Sequence, residues 1–309
     1  MHHVDTVPST GVGASERRHV PLGPDVRAWL MQKAAPFTVS YGRGLARSGA
    51  DLPRPRRITV PTRHGPVRCL VHRPAGEPVG TYVHFHGGAF LMRYPQMDDF
   101  FHRVVAAEVG ATVVAVDYDV APQVRYPVAQ EEAYDVLAHV CASDDWPGPV
   151  AVGGFSAGGN LAASAALQAR DAGTCRPVLQ LLGVPAVDIA QEDKHAVVPD
   201  PMLGPDLLRL VRATYFPDAA RRTEPYASPL RADSLAGVAP ALVVTAERDL
   251  LRAEGDAYAA KLAADGVPVQ HHVVPGADHY FMTSPAQAAP SLDLMTQALR
   301  DALGSSVPR

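Results

Sequence analysis

The chain is poor in cysteine. It has three in 309 residues, Cys69, Cys141 and Cys175, far apart and with no C-x-x-C. An odd, widely spaced set argues against a disulfide framework or a zinc ribbon, so free, buried or half-buried thiols are expected, as in a reducing compartment. Long apolar runs are missing too. Nothing approaches the roughly 18 consecutive apolar residues of a membrane-spanning helix, and the opening MHHVDTVPSTGVGASERRHV has no apolar stretch of the secretory kind. A cytoplasmic location without a membrane partner is the expectation. Basic runs are scarce as well: Arg54, Arg56 and Arg57 lie among prolines, Arg221–Arg222 is only a pair, and the formal net charge is −4. Such a chain offers little to a phosphate backbone, so no nucleic-acid partner is expected.

What is present is an ordinary globular composition, 47% apolar with 19% charged residues. The length suits one large domain, or a core with a small appendage. Residues 1–20 read as a loose polar end. Pro24 to Lys33 reads as a short helix, with Val26, Trp29 and Leu30 on one face. Residues 42–57, rich in Gly, Pro and Arg, read as a linker.

From residue 57 short β-branched runs alternate with helical stretches. RITVPTR and VRCLVHR flank His64–Gly65 as a hairpin. TYVHFH, ATVVAVDY, PVAVGGF, PVLQLLGVP, ALVVTAE and PVQHHVVPG then read as strands, separated by helical segments, and PAQAAPSLDLMTQALRDALG closes the chain as a helix. This alternation predicts an α/β fold with a mostly parallel central sheet, helices on both faces, and the hairpin adding antiparallel strands at one edge. Residues 188–239 break the rhythm, with PDLLRLVRATYF as a helix inside loop-like sequence. The insertion is too long for a plain connection and reads as a lid or cap.

The chemistry concentrates in a few places. Gly154-Phe155-Ser156-Ala157-Gly158 is a G-x-S-x-G that follows the strand PVAVGG and opens a helix. That setting is a nucleophile elbow: a strained turn that lifts the Ser156 hydroxyl clear of the sheet and puts the Ala157 amide at a helix N-terminus. His86-Gly87-Gly88-Ala89-Phe90 directly follows another strand. Its glycines let backbone N–H groups approach a developing oxyanion, so Gly87, Gly88 and Ala157 are the expected donors and His86 a brace for the loop. His84 and His86 form an H-x-H, but no third ligand is evident in sequence, and no metal is expected.

A serine hydroxyl needs a base. Of 13 histidines, His279 in PGADHYF is the best placed, in the loop after the final strand. His271 and His272 lie within that strand and point to opposite faces. The base in turn needs an acid to hold its tautomer. Asp249, just after ALVVTAE, is the first choice and Asp188 the second, whereas Asp278 is adjacent to the base and Glu254 and Asp256 belong to the next helix. The chain order Ser, Asp, His is that of the α/β hydrolases.

Together these residues resemble the bacterial hormone-sensitive-lipase family of carboxylesterases. HGGAF at 86–90, DYDVAP at 117–122, GFSAGGNLA at 154–162, the Asp249 segment with its EGDAYA helix, and GADHYF at 276–281 carry the likeness over about residues 78–285. The resemblance implies an α/β-hydrolase fold with a helical cap, in which residues 1–50 and the insertion at 188–239 cover a catalytic domain spanning 51–309. It also implies a small-molecule ester substrate with a short- or medium-chain acyl group, and no cofactor. An amidase, deacetylase or acyltransferase using the same triad is the alternative. A non-catalytic ligand binder, like the plant gibberellin receptor that lacks the histidine, is disfavoured by His279. A homodimer is compatible with the sequence. Phe90, Tyr215, Phe216 and Tyr280 are candidate pocket aromatics.

Five positions depart from the family pattern. Phe155 stands where Asp is common before the nucleophile, Asp119 and Gln123 replace two charged residues of Tyr-Arg-Leu-Ala-Pro-Glu, Ala89 replaces the third loop glycine, and Tyr280 replaces a Gly. These changes alter the packing behind the elbow and the pocket wall, and point toward a specialised substrate.

Overall fold

The computed structural model describes residues 23–39, 43–195, 198–199, 201–283 and 285–304. The loose end expected over residues 1–20 lies outside them. An N-terminal helix, α1 (Pro24–Thr38), precedes the hairpin β1 (Arg56–Thr62) and β2 (Gly65–His72). Then come β3 (Thr81–Phe85), α2 (Asp99–Val104), β4 (Thr112–Asp117), α3 (Val128–Ala142), β5 (Val150–Phe155), α4 (Ala157–Ala172) and β6 (Gln180–Gly183). The chain continues through α5 (Pro205–Thr214), β7 (Ala241–Ala246), α6 (Arg252–Ala264), β8 (Val269–Val274) and α7 (Pro285–Gly304).

The eight strands form one sheet in the order β1-β2-β4-β3-β5-β6-β7-β8. β1, β2 and β4 pair antiparallel, and β4, β3 and β5 to β8 are parallel. The central strands are buried along their whole length, which is why they read as continuous apolar runs. Their residues alternate between two cores. Val83, Val114, Val152 and Val243 face the layer of α3, α4 and α6, while Tyr82, Val113, Ala151 and Leu242 face that of α2 and α7. Fully burying one such large apolar side chain is worth roughly 1.5–3 kcal/mol.

The N-terminal helix departs from its sequence reading. It runs on to Thr38, through Pro36, and the three residues expected to form its apolar face point outward, with Val26 and Trp29 each 38% exposed and Leu30 54%. The buried positions are Asp25, Ala28 and Ala35. Small side chains let α1 approach α5 closely, and Asp25 must face inward to meet Arg125 at 3.0 Å. Arg125 also donates to the Thr214 carbonyl at the end of α5, 2.5 Å away. One departure from the family pattern serves the same junction: the amides of Gln123 and Gln32 on α1 exchange hydrogen bonds of 3.0 and 3.1 Å.

The free-thiol expectation is corrected at two of the three cysteines. Cys141, in the last turn of α3, is disulfide-bonded to Cys175, just beyond α4, with Cα atoms 6.0 Å apart and a sequence separation of 34. The sequence hid this because α3 and α4 are neighbours only in the folded chain. Cys69 is a buried free thiol, pushed up to about 12 mainly by burial.

Candidate active site

The site forms at the C-terminal edge of the sheet, where β3, β5, β6, β7 and β8 each release a loop. β5 ends in Phe155, and Ser156 adopts φ 57°, ψ −116° before α4 begins. A non-glycine residue in this region is strained and persists only where its surroundings hold it. The Ser156 amide donates to the Gly183 carbonyl at 2.8 Å, and its carbonyl accepts from Asn160 and Ala186. The flanking glycines are dictated by β3. A Cβ on Gly158 would lie 1.9 Å from the Phe85 carbonyl oxygen, and one on Gly154 would lie 2.4 Å from the same atom.

The loop after β7 carries Asp249, and the loop after β8 carries His279. The two are stitched together by the backbone bonds Glu247 N–H to Val274 O and Arg248 N–H to Ala277 O. His279 Nδ1 lies 2.8 Å from Asp249 Oδ2, and its Nε2 lies 2.9 Å from Ser156 Oγ. Both side chains are fully buried. The other Asp249 oxygen accepts the Leu251 amide at 3.0 Å, which fixes the carboxylate plane. With an acceptor at Nδ1, the neutral imidazole carries its proton there and presents a free lone pair to the hydroxyl.

The other acid candidates are occupied elsewhere. Asp188 receives Arg231 at 2.7 and 3.1 Å. Asp278 accepts the His279 amide at 2.7 Å and the Met202 amide at 2.9 Å. Glu254 pairs with Lys194 in the interior. Among the alternative bases, His271 meets Thr245 and Asp256, on the flank of the sheet.

Of the three expected oxyanion donors, Gly87 lies against the serine and Ala157 directly follows it. A Cβ built on Gly87 would lie 3.8 Å from that of Ser156 and 3.3 Å from the Phe155 carbonyl oxygen. Gly88, Ala89 and Phe90 all have positive φ, so the loop coils tightly, and the Leu91 and Met92 amides both donate to the Gly88 carbonyl. Ala157 is the first residue of α4, where the amide has no partner within the helix. His86 sits behind the loop as a brace: Nδ1 is 2.6 Å from the Gly87 carbonyl oxygen, and the ring stacks on Tyr118 at 4.4 Å.

A narrow pocket opens at Ser156, lined by Gly87, Asp98, Phe155, Val184 and the run His279 to Met282. Of the four candidate aromatics only Tyr280 reaches it, with its ring edge-on to His279 at 4.9 Å. The other three are placed differently. Phe90 stacks flat on Tyr215 at 4.9 Å, Phe216 abuts both edge-on, and all three are buried. The Tyr215 hydroxyl donates to Gln130 and accepts from the Ala129 amide. These rings tie the loop after β3 to the insertion, and their faces are spent on one another. Sequence reasoning missed Val184, Phe281 and Met282 as pocket residues. Their position just beyond β6 and β8 was the signal available, because ligands collect at the carboxyl ends of parallel strands. Asp98 carried no such signal.

Among the described residues, no helix is long and apolar enough to cross a membrane. The H-x-H pair does not converge on a cation, since His84 bonds Tyr82 and Asp98 while His86 bonds its own loop.

Comparison with known proteins bears on the fold and the family. The model of a family described as alpha/beta hydrolase fold matches residues 82–283. Carboxylic ester hydrolase LipN of Mycobacterium tuberculosis is 34% identical over 242 residues, covering 73% of this chain but 63% of that protein, less than two-thirds of its length. An arylesterase of Saccharolobus solfataricus is 33% identical over 232 residues, covering 72% of this chain and 74% of the relative. Among solved structures, an esterase of Pyrobaculum calidifontis superposes with a TM-score of 0.81 at 31% identity, covering 94% of this chain and 97% of that one.

Proposed function

Since the chain belongs to the alpha/beta-hydrolase family, in its hormone-sensitive-lipase-like branch, we propose that it is a serine carboxylesterase acting through Ser156, His279 and Asp249. The observation that carries this reading is the unbroken buried chain from Asp249 through His279 to the Ser156 hydroxyl, with links of 2.8 and 2.9 Å. The names of its relatives support the ester bond as the target.

His279 Nε2 takes the hydroxyl proton as Ser156 Oγ attacks the ester carbonyl, and Asp249 stabilises the imidazolium that forms. The carbonyl oxygen becomes an oxyanion facing the amides of Gly87, Gly88 and Ala157. Fixed donors of this kind are worth about 2.7–4 kcal/mol each in the transition state. Collapse expels the alcohol, which leaves with the proton from His279. Water then attacks the acyl-enzyme, gives its proton to the same nitrogen, and releases the carboxylic acid and free Ser156.

Pocket size sets the acyl preference. Val184, Phe155, Phe281 and Met282 supply apolar walls, and the space beside Ser156 is narrow. Short acyl groups fit best. The N-terminal helix and the 188–239 insertion, joined through Asp25, Arg125 and Thr214, act as the cap over this pocket.

The test is a series of p-nitrophenyl esters from acetate to decanoate, with the matching acetanilide as an amide arm, on the wild type and on Ser156→Ala. Turnover greatest on the shortest esters and weak on the anilide is expected. The variant should lose roughly 10⁶-fold in kcat, as when a subtilisin-type nucleophile is removed. A Ser156→Ala protein with normal esterase turnover would sink the assignment.

A further inference from the structure

We infer that His72, Asp99 and His102 form a binding site for a divalent first-row metal ion of the zinc type, clamped between β2 and α2. His72 is the last residue of β2, and Asp99 and His102 are three apart on α2, hence on one face of the helix. One donor atom from each lies within 4.8 Å of the other two. His72 Nε2 is 3.7 Å from Asp99 Oδ1, and the two imidazole rings stand 5.1 Å apart.

The second observation is a deficit of partners. His102 is fully buried, and neither of its ring nitrogens has a hydrogen-bond partner. His72 is 3% exposed, and its Nε2 has no partner either. Buried polar atoms are nearly always satisfied, and leaving one unsatisfied is costly, so three such nitrogens in one cluster call for a ligand. Neighbouring groups do not serve. His84 packs edge-on to His102 at 4.7 Å, but both its nitrogens are engaged, by Tyr82 and Asp98. Arg103 holds Asp99 Oδ2 at 2.7 Å, which leaves Oδ1 turned toward His72.

Two imidazoles and one carboxylate are the donor set of three-ligand zinc sites, with water completing the tetrahedron. Such a site needs donors about 3.4 Å apart, so small rotations of the rings and the carboxylate bring the three into place. The Asp99 side chain is 36% exposed and supplies the way in from solvent. The site is distinct from Ser156 but touches it through sequence: Asp98, beside Asp99, lines the catalytic pocket. A bound ion would lock the start of α2, and Asp98 with it.

The full-length protein, stripped with a chelator, would be titrated with Zn²⁺ by calorimetry and with Co²⁺ by visible absorption, beside His102→Leu and Asp99→Asn. Asp99→Asn keeps the size of a half-exposed side chain and so protects the comparison if His102→Leu folds poorly. The wild type should take up one more equivalent than His102→Leu, Asp99→Asn should bind that equivalent roughly tenfold or more weakly, and Zn²⁺ should raise the wild-type Tm more than that of either variant. Histidines elsewhere, such as His2 and His3, are present in all three proteins and cancel. Equal stoichiometry and affinity in the wild type and Asp99→Asn, or no uptake by the wild type at millimolar metal, would overturn the inference.

Discussion

His86 lies flat against Tyr118, with ring centroids 4.4 Å apart at 18°, and the Tyr118 hydroxyl donates to the His86 carbonyl at 2.7 Å. This pair fixes the loop that carries Gly87 and Gly88 from behind, and its burial favours the neutral imidazole. Burial pushes His86 down to about 4. The unfolded chain, with an ordinary histidine near 6.5, therefore binds more protons than the native one between those values. The stability this group contributes is complete above pH 6.5 and is lost as pH falls through the folded value near 4. The full loss is on the order of 3 kcal/mol, from 1.36 kcal/mol per pKa unit. Urea unfolding at pH 7.5, 6, 5 and 4 should show the wild type losing more stability than His86→Asn. Parallel curves would remove the brace from the account.

Asp249 does not itself line the pocket, yet its substitution should nearly abolish turnover. An Asn at 249 would offer an N–H or a weaker acceptor to His279 Nδ1, favouring the tautomer with its proton on Nε2, where the Ser156 hydroxyl must deliver its own. Loss of about 10⁴-fold in kcat is expected, with KM little changed, since the equivalent change in a serine protease has that effect. A KM effect without a kcat effect would mean that Asp249 shapes the pocket rather than the base.

Much of this was legible in the chain. G-x-S-x-G after a β-branched run, H-G-G after another, and Asp and His just beyond later strands in the right order point to four loops at one edge. Periodicity located every strand, because parallel core strands are continuous apolar runs between glycines. What escaped notice depends on partners remote in sequence. The outward turn of Trp29 and Leu30 follows from Asp25 needing Arg125, a hundred residues away. The aromatic stack of Phe90, Tyr215 and Phe216 shows why apolar character alone does not mark a substrate contact: a buried ring serves packing as readily as binding. Cys141 and Cys175 meet only because two helices do.

Lys194 and Glu254 form an ion pair in the interior, with side-chain exposures of 5% and 1%. The pair fastens the start of the insertion to α6, and Glu254 also accepts the Asp188 amide at 3.2 Å. Burial pushes the Glu254 carboxyl up, and Lys194 opposes that shift. Removing one partner leaves the other charge uncompensated, which typically costs 3–5 kcal/mol. Lys194→Met should therefore lower stability by about that much, while Lys194→Met with Glu254→Leu should recover most of it. A single variant as stable as the wild type in urea would show that the insertion is held by other contacts.

Phe155 stands where an aspartate is common in the resembled family, and its surroundings here suit a ring. It packs 5.3 Å from His84 and 5.2 Å from Phe101, centroid to centroid, and it lies so close to Gly183 that a Cβ there would meet the ring at 2.3 Å. Asp98, 2% exposed and bonded to His84, borders the same pocket. Restoring the common residue as Phe155→Asp would replace a large apolar group by a carboxylate facing another acid, combining a cavity of about 3–5 kcal/mol with a buried like charge. The chain should be unfolded or close to it at 37 °C. Phe155→Leu, which keeps the site apolar, should retain the fold at a cost of about 1–3 kcal/mol and widen the pocket wall toward longer acyl esters. Comparing its kcat/KM on p-nitrophenyl acetate and hexanoate reads that widening directly. A ratio unmoved from the wild type would place the Phe155 ring in the core and out of the acyl pocket.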